Sequence, residues 1–172
     1  MFANPPLDES DEMRPALAKI FSLSARDAPW LAALHGDGFS PSWSGESFAS
    51  LLDLSTTYGW GLRYGLKPFG FLLLSIGAQE AEILTFQIAA AYQGQGYGKK
   101  LLRYGLNRAY SQGASQVYLD VAPSRAAAQN IYRDLGFVVT GRRVGYYKTP
   151  NGREDALLMS LKLSANIFSK SA

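Results

Sequence analysis

The stretch AYQGQGYGKK, residues 91–100, has residue types and spacing suited to a particular chemistry. Gln93, Gly96 and Gly98 form a Q-x-x-G-x-G pattern, with Gly94, Gln95, Tyr97 and Lys99 between and after them. Glycines let the backbone approach an anion closely and adopt positive φ. Backbone N–H groups converging at a helix start, with the helix dipole behind them, suit a pyrophosphate. A plain strand-to-helix turn would use the same residues. Two nucleotide-binding patterns fail. GxGxxG needs glycine at 99, where Lys99 stands. GxxxxGK[ST] needs glycine at 93 and Ser or Thr at 100, where Gln93 and Lys100 stand.

Other chemistries are closed by composition. There is no cysteine, so disulfides, thiolate metal sites and cysteine nucleophiles are excluded. The single histidine, His35, excludes a histidine metal cluster and leaves one position for any Ser-His-Asp triad. No metal site is expected. Net charge is +3, divided as −5 over residues 1–92 and +8 over residues 93–172. The basic half starts at the glycine stretch. It suits a polyanion such as a phosphorylated cofactor or RNA, or ordinary solvated surface. No aromatic-interleaved RNA motif accompanies it. The longest apolar run, FGFLLLSIGA, is far short of the ~20 residues that span a bilayer. The acidic, proline-containing start lacks the features of a secretion signal. The expectation is a cytoplasmic protein without membrane contact.

These residues need elements to position them. At 172 residues and 47% hydrophobic, the chain fits one domain. Residues 1–13 read as a tail, 14–163 as the domain and 164–172 as a second tail. A strand is expected over Leu17–Leu23 and a helix over Ala25–Gly38, with Pro29 in its first turn. A second helix ends near Leu54, with Ser44 or Ser47 as its cap. Strands over 58–65, 68–77 and 80–89 form an antiparallel meander. Leu102, Leu106 and Ala109 mark a helix over Gly98–Gln112, stopped by Gly113. Val117, Leu119 and Val121 alternate as a strand. Ser124 is positioned to cap the next helix, whose buried face is Ala128, Ile131 and Leu135 and whose stop is Gly136. Strands over Phe137–Tyr147 and Glu154–Leu163 flank the turn Pro150-Asn151-Gly152. The order gives one mixed α/β domain.

Four segments, in order, resemble the GNAT acetyltransferases and, within them, the RimI-type N-terminal alanine acetyltransferases of ribosomal protein. They are HGDGFSPSWSGESF, ILTFQIAAAYQGQGYGKKLL, YLDVAPSRAAAQNIYRDLGF and RRVGYYKTPNGREDALLMSL. The resemblance covers roughly residues 35–163. It implies a mostly antiparallel GNAT sheet splayed between its fourth and fifth strands, with helices on both faces. It implies acetyl-CoA as donor and a protein α-amine as acceptor, with alanine of a small-subunit ribosomal protein the foremost candidate.

The resemblance also implies roles. Phe86 and Ile88 would run beside pantetheine, and residues 93–99 would cradle the pyrophosphate. Tyr132 matches the family's general acid. Asp120 stands where the family pattern has a glutamate, the general base, and is one methylene shorter. Arg125 stands where asparagine is frequent, so the asparagine role does not transfer. Arg125 then faces a coenzyme A phosphate or solvent, and Asn130 is a further candidate for cofactor contact. Lys99, Lys100 and Arg103 could reach phosphates or simply be solvated. Phe39, Trp43, Tyr146 and Tyr147 would line the acceptor groove, or close one end of the sheet as packing. His35 reads as a partly buried structural side chain. Two other readings stand beside this one: a small-molecule amine or lysine acetyltransferase, and a non-catalytic acyl-CoA-binding module.

Overall fold

Alternating and continuous apolar runs place most of residues 57–88 in strands, and a computed structural model, which describes residues 17–165, shows how they pair. The tails expected at 1–13 and 164–172 lie outside those residues, except for Ser164 and Ala165. Strands β1 (Lys19–Ser22), β2 (Thr57–Tyr64), β3 (Lys67–Ile76) and β4 (Glu80–Ile88) pair antiparallel in sequence. Strand β5 (Gln116–Val121) joins β4 in parallel, and β7 (Gly152–Lys162) then β6 (Val138–Thr149) complete the sheet. The spatial order is β1-β2-β3-β4-β5-β7-β6.

Two irregularities matter for function. The β4–β5 ladder holds only Glu80–Glu82 against Gln116–Tyr118, and beyond it the strands part. One step further along β4, Leu73 pairs with Thr85 and Leu74 with Ile83, so Leu84 is an extra, bulged residue. The sheet is therefore split where Ile83–Ile88 and Leu119–Val121 diverge. The expected splay between the fourth and fifth strands is present.

Helices cover both faces. Helices α1 (Ala28–Gly36) and α2 (Gly45–Leu52) close one face around Leu31, Phe48, Phe71 and Leu73. The helix expected over Ala25–Gly38 begins as a single 3-10 turn, Ala25–Asp27, and Pro29 sits in the first turn of α1. Of the two candidate caps for α2, Ser44 is the one, its hydroxyl accepting from the Ser47 N–H at 3.1 Å. Helices α3 (Tyr97–Ser111) and α4 (Ala126–Asp134) close the other face over the larger core. Leu102, Leu106 and Ala109 of α3 are buried there, as the spacing predicts. Gly113 and Gly136 stop these helices at φ +95° and +98°.

One cap differs from expectation. Ser124 does not cap α4. Its hydroxyl donates to Glu154 at 2.8 Å, and Arg125 holds the cap position without a side-chain bond to the helix. A cross-strand carboxylate outcompetes the local N–H groups for the serine.

Candidate active site

The glycine loop lies between β4 and α3, and most of its residues do local structural work. Gly94 and Gly96 have φ of +73° and +84°, so both need glycine for conformation. A Cβ at either would meet nothing within 4 Å, so the loop surface is open there. Gly98 does something else. A Cβ on it would lie 3.0 Å from Phe86 and 3.2 Å from Ile131, so glycine lets α3 sit tightly against β4 and α4. Positive φ is thus used at Gly94 and Gly96 and not at Gly98. The Gln93 amide donates to the Ile88 carbonyl at 2.8 Å, and the Gln95 amide to the Ala91 carbonyl at 3.1 Å. Both glutamines brace the loop. The Tyr97 side chain is buried among Tyr64, Phe69 and Tyr92, so this residue faces the core. Lys99 pairs with Asp134 at 3.3 Å, and Lys100 donates to the Ala18 carbonyl at 3.0 Å.

A cavity of ≈ 230 Å³ opens where the strands part. Phe39, Phe86, Asp120, Tyr132 and Tyr147, five residues expected at the site, all line it. The others lie elsewhere. Ile88 is buried under the loop, Asn130 is exposed on α4, and Tyr146 is exposed beside Tyr147, its ring under Arg143. Trp43 packs against Phe48 and stacks on His35, inside the smaller core.

The polar groups in the cavity differ in their environments. Tyr132 is buried against Phe86 and Phe137, and that burial pushes its hydroxyl well above the usual tyrosine range. Burial, and then Asp120 and Tyr146, raise Tyr147 to about 12; Arg125 and Arg143 pull it the other way. Both stay protonated donors at neutral pH. The Asp120 carboxylate is partly exposed and pairs through Oδ2 with Arg143 at 3.4 Å. The Thr85 hydroxyl is buried in the wall with no hydrogen-bond partner among the described residues.

Arg125 is the residue whose place differs most from the sequence reading. It is partly exposed, and its guanidinium is engaged by the loop after α1 and by β4. Its Nη1 donates to the Gly38 carbonyl at 2.7 Å and its Nη2 to the Gln87 Oε1 at 3.0 Å. The guanidinium carbon lies 3.9 Å over the Phe39 ring. Lys148, Ser124 and Glu154 also line the cavity; the sequence marks Ser124 only as a helix cap and gives none of the three a place in the site. A faint signal existed for Gly38: the doubled glycine in HGDGF marks a close backbone approach. Nothing in the sequence told where an arginine after β5 would reach.

The same chain matches the acetyltransferase (GNAT) family over residues 22–137. The chain belongs to this GNAT family. As a member it is an acetyl-CoA-dependent N-acetyltransferase. The [ribosomal protein bS18]-alanine N-acetyltransferase of Escherichia coli K12 is 32% identical over 146 residues, 84% of this chain and 97% of that one. The crystal structure of the Escherichia coli ribosomal-protein-S18-alanine N-acetyltransferase superposes with a TM-score of 0.79 at 31% identity, covering 86% of this chain and 94% of that one. Streptothricin acetyltransferase of Streptomyces lavendulae is 29% identical over 136 residues, 78% of this chain and 71% of that one. The GNAT sheet, with its single parallel step at β4–β5, accounts for the cleft that holds Asp120 and Tyr132.

Proposed function

We propose that the protein acetylates the α-amine of a protein N-terminus, with alanine of a small-subunit ribosomal protein as the leading acceptor. The observation that carries this is the cleft at the splay, which gathers Asp120, Tyr132, Tyr147 and Phe39 around one small cavity. Relatives matched over nearly their whole length are named for that reaction.

The donor supplies an activated acetyl thioester. The start of α3 fits its pyrophosphate: Gly94 and Gly96 leave an open surface, and the first N–H groups of a helix have no partner within it. Phe86 would flank pantetheine. The α-amine enters past Phe39 and Tyr147. Asp120 takes its proton through one water, which makes up for the missing methylene. The demand is modest, because an α-amine of pKa ~7.7–8.0 costs about 1 kcal/mol to deprotonate at pH 7. A lysine amine at ~10.4 costs nearly 5 kcal/mol, which favours the α-amine. Tyr132 Oη holds a proton for the departing sulfur. Since burial raises its pKa, it acts mainly by donating a hydrogen bond to the sulfur, with full transfer late.

The test uses the purified protein, acetyl-CoA and peptides that differ only in a free or blocked N-terminus, read by mass spectrometry. Acetylation of free α-amines alone is expected. Acetylation of lysine on blocked peptides, or of small amines only, would replace this reading with the small-molecule one that the streptothricin relative favours. Binding of acetyl-CoA without turnover on any amine would point to a non-catalytic module.

A further inference from the structure

We propose that Arg125 is a specificity-determining residue, a strap that fixes the acceptor wall and limits the size of the first acceptor side chain. This rests on the N-terminal acetyltransferase reading. The strap starts on the turn between β5 and α4 and crosses the splay to the loop after α1. Its Nη1 and Nη2 donate to the Gly38 carbonyl and the Gln87 amide oxygen, and its flat face covers Phe39.

Phe39 is held from its other side as well. Its ring lies parallel to His35, centroids 4.1 Å apart and planes at 6°. His35 stacks in turn on Trp43, and its Nδ1 accepts the Trp43 backbone N–H at 3.1 Å. Arg125, Phe39, His35 and Trp43 thus form one pile anchored in the smaller core. Gly38 belongs to the same device. A Cβ there would stand 2.3 Å from Gln87 Nε2, so any other residue would push away the amide that Arg125 holds.

The neighbouring residue ties the opposite wall. Ser124 donates its N–H and its hydroxyl to the two carboxylate oxygens of Glu154, at 2.6 and 2.8 Å. One dipeptide therefore sets the spacing between the α1–α2 loop and the start of β7, and both residues line the cavity. A wall held by a stacked, doubly bonded guanidinium does not yield to a bulky group, because moving it strands a half-buried charge. The expectation is that a methyl or hydroxymethyl side chain is accepted and that leucine, methionine or phenylalanine is disfavoured.

The experiment measures kcat and KM for peptides differing only in the first residue, across alanine, serine, valine and leucine. It compares the natural enzyme with Arg125→Ala and Arg125→Lys. The natural enzyme should prefer alanine to leucine, and Arg125→Ala should lower that preference about tenfold or more. Acceptor KM should move more than kcat, and more than the KM for acetyl-CoA. Arg125→Lys keeps the charge but not the flat, two-pronged contact, so it should fail to restore the preference. Restoration by lysine, an unchanged alanine-to-leucine ratio, or a shift in acetyl-CoA KM alone would overturn the proposal. Hydrogen–deuterium exchange of residues 36–43 provides an arm independent of the acceptor. Faster exchange in Arg125→Ala supports the strap even if no N-terminus is acetylated, and unchanged exchange overturns it.

Discussion

Tyr132 and Asp120 share a cleft but make different demands on it, and their substitutions should separate. Tyr132→Phe keeps the buried ring against Phe86 and Phe137 and loses only the donor. We expect kcat to fall about 100-fold with acceptor KM little changed. Asp120→Asn should lower kcat/KM most at the acidic end of the profile, where the amine is protonated, and least at high pH. A pH–rate profile that stays intact would remove Asp120 from the mechanism. His35 gives a different kind of pH dependence. Burial first, and then Arg125, lower its pKa from 6.5 to about 4, so the folded protein keeps it neutral. As pH falls from about 6.5 to 4, the unfolded chain takes a proton that the folded chain refuses, and stability declines. That loss is on the order of 3 kcal/mol and is complete below the folded pKa. The urea midpoint should drop further between pH 7 and pH 4.5 in the natural protein than in His35→Gln. Equal slopes would sink the argument. The sequence showed which residue types could do this chemistry. It could not show that Arg125 reaches back to the loop that carries Phe39, because its bond to the Gly38 carbonyl joins positions 87 residues apart.

Elements were legible where periodicity was strong. The meander β2–β4, the amphipathic α3 and the β6–β7 hairpin follow from alternation, from 3.6-residue spacing and from the Pro150-Asn151 turn. Features set by distant partners were not. The bulge at Leu84 exists only in the pairing of β4 with β3, and Ser124 was lost as a cap to Glu154 on another strand. The glycine loop shows both cases in one stretch, and two alanine substitutions should tell its glycines apart. Gly96→Ala meets no neighbour but forces a side chain into φ +84°, a strain of about 1–2 kcal/mol. It should raise the KM for acetyl-CoA, because the strain falls on the exposed loop. Gly98→Ala drives a methyl toward Phe86 and Ile131, inside the contact between α3, β4 and α4. It should lower the melting temperature by several degrees, as overpacking of about 1–3 kcal/mol does. A KM effect from Gly98→Ala with unchanged melting would mean that the helix contact is looser than these distances imply.

At the scale of the molecule, the sheet divides two tasks between its faces. The face under α3 and α4 is the basic one: α3 carries Lys99, Lys100, Arg103 and Arg108 and no acid. The cleft at the splay is mixed, with Asp120 and Glu154 set against Arg125 and Lys148. Among the described residues, the basic charge after residue 92 is thus spread over the helices beside the glycine loop as well as the hairpin. Two of its lysines are engaged away from the loop, Lys99 with Asp134 and Lys100 with the Ala18 carbonyl. Such a field acts at long range and is screened over a Debye length of about 10 Å at 0.1 M salt. A polyphosphate donor should feel it, and a peptide with one amine at its reacting end should feel it little. Raising salt from 0.05 to 0.5 M should therefore raise the KM for acetyl-CoA several-fold while moving the KM of an uncharged-side-chain peptide less than twofold. Lys99→Gln should change that salt response only slightly, because its exposed ion pair with Asp134 already weakens its reach. Charge reversal at several α3 positions together should flatten it. If single Lys99→Gln abolished the salt dependence, the charge would be acting as a local phosphate contact, and the diffuse-field account would fail.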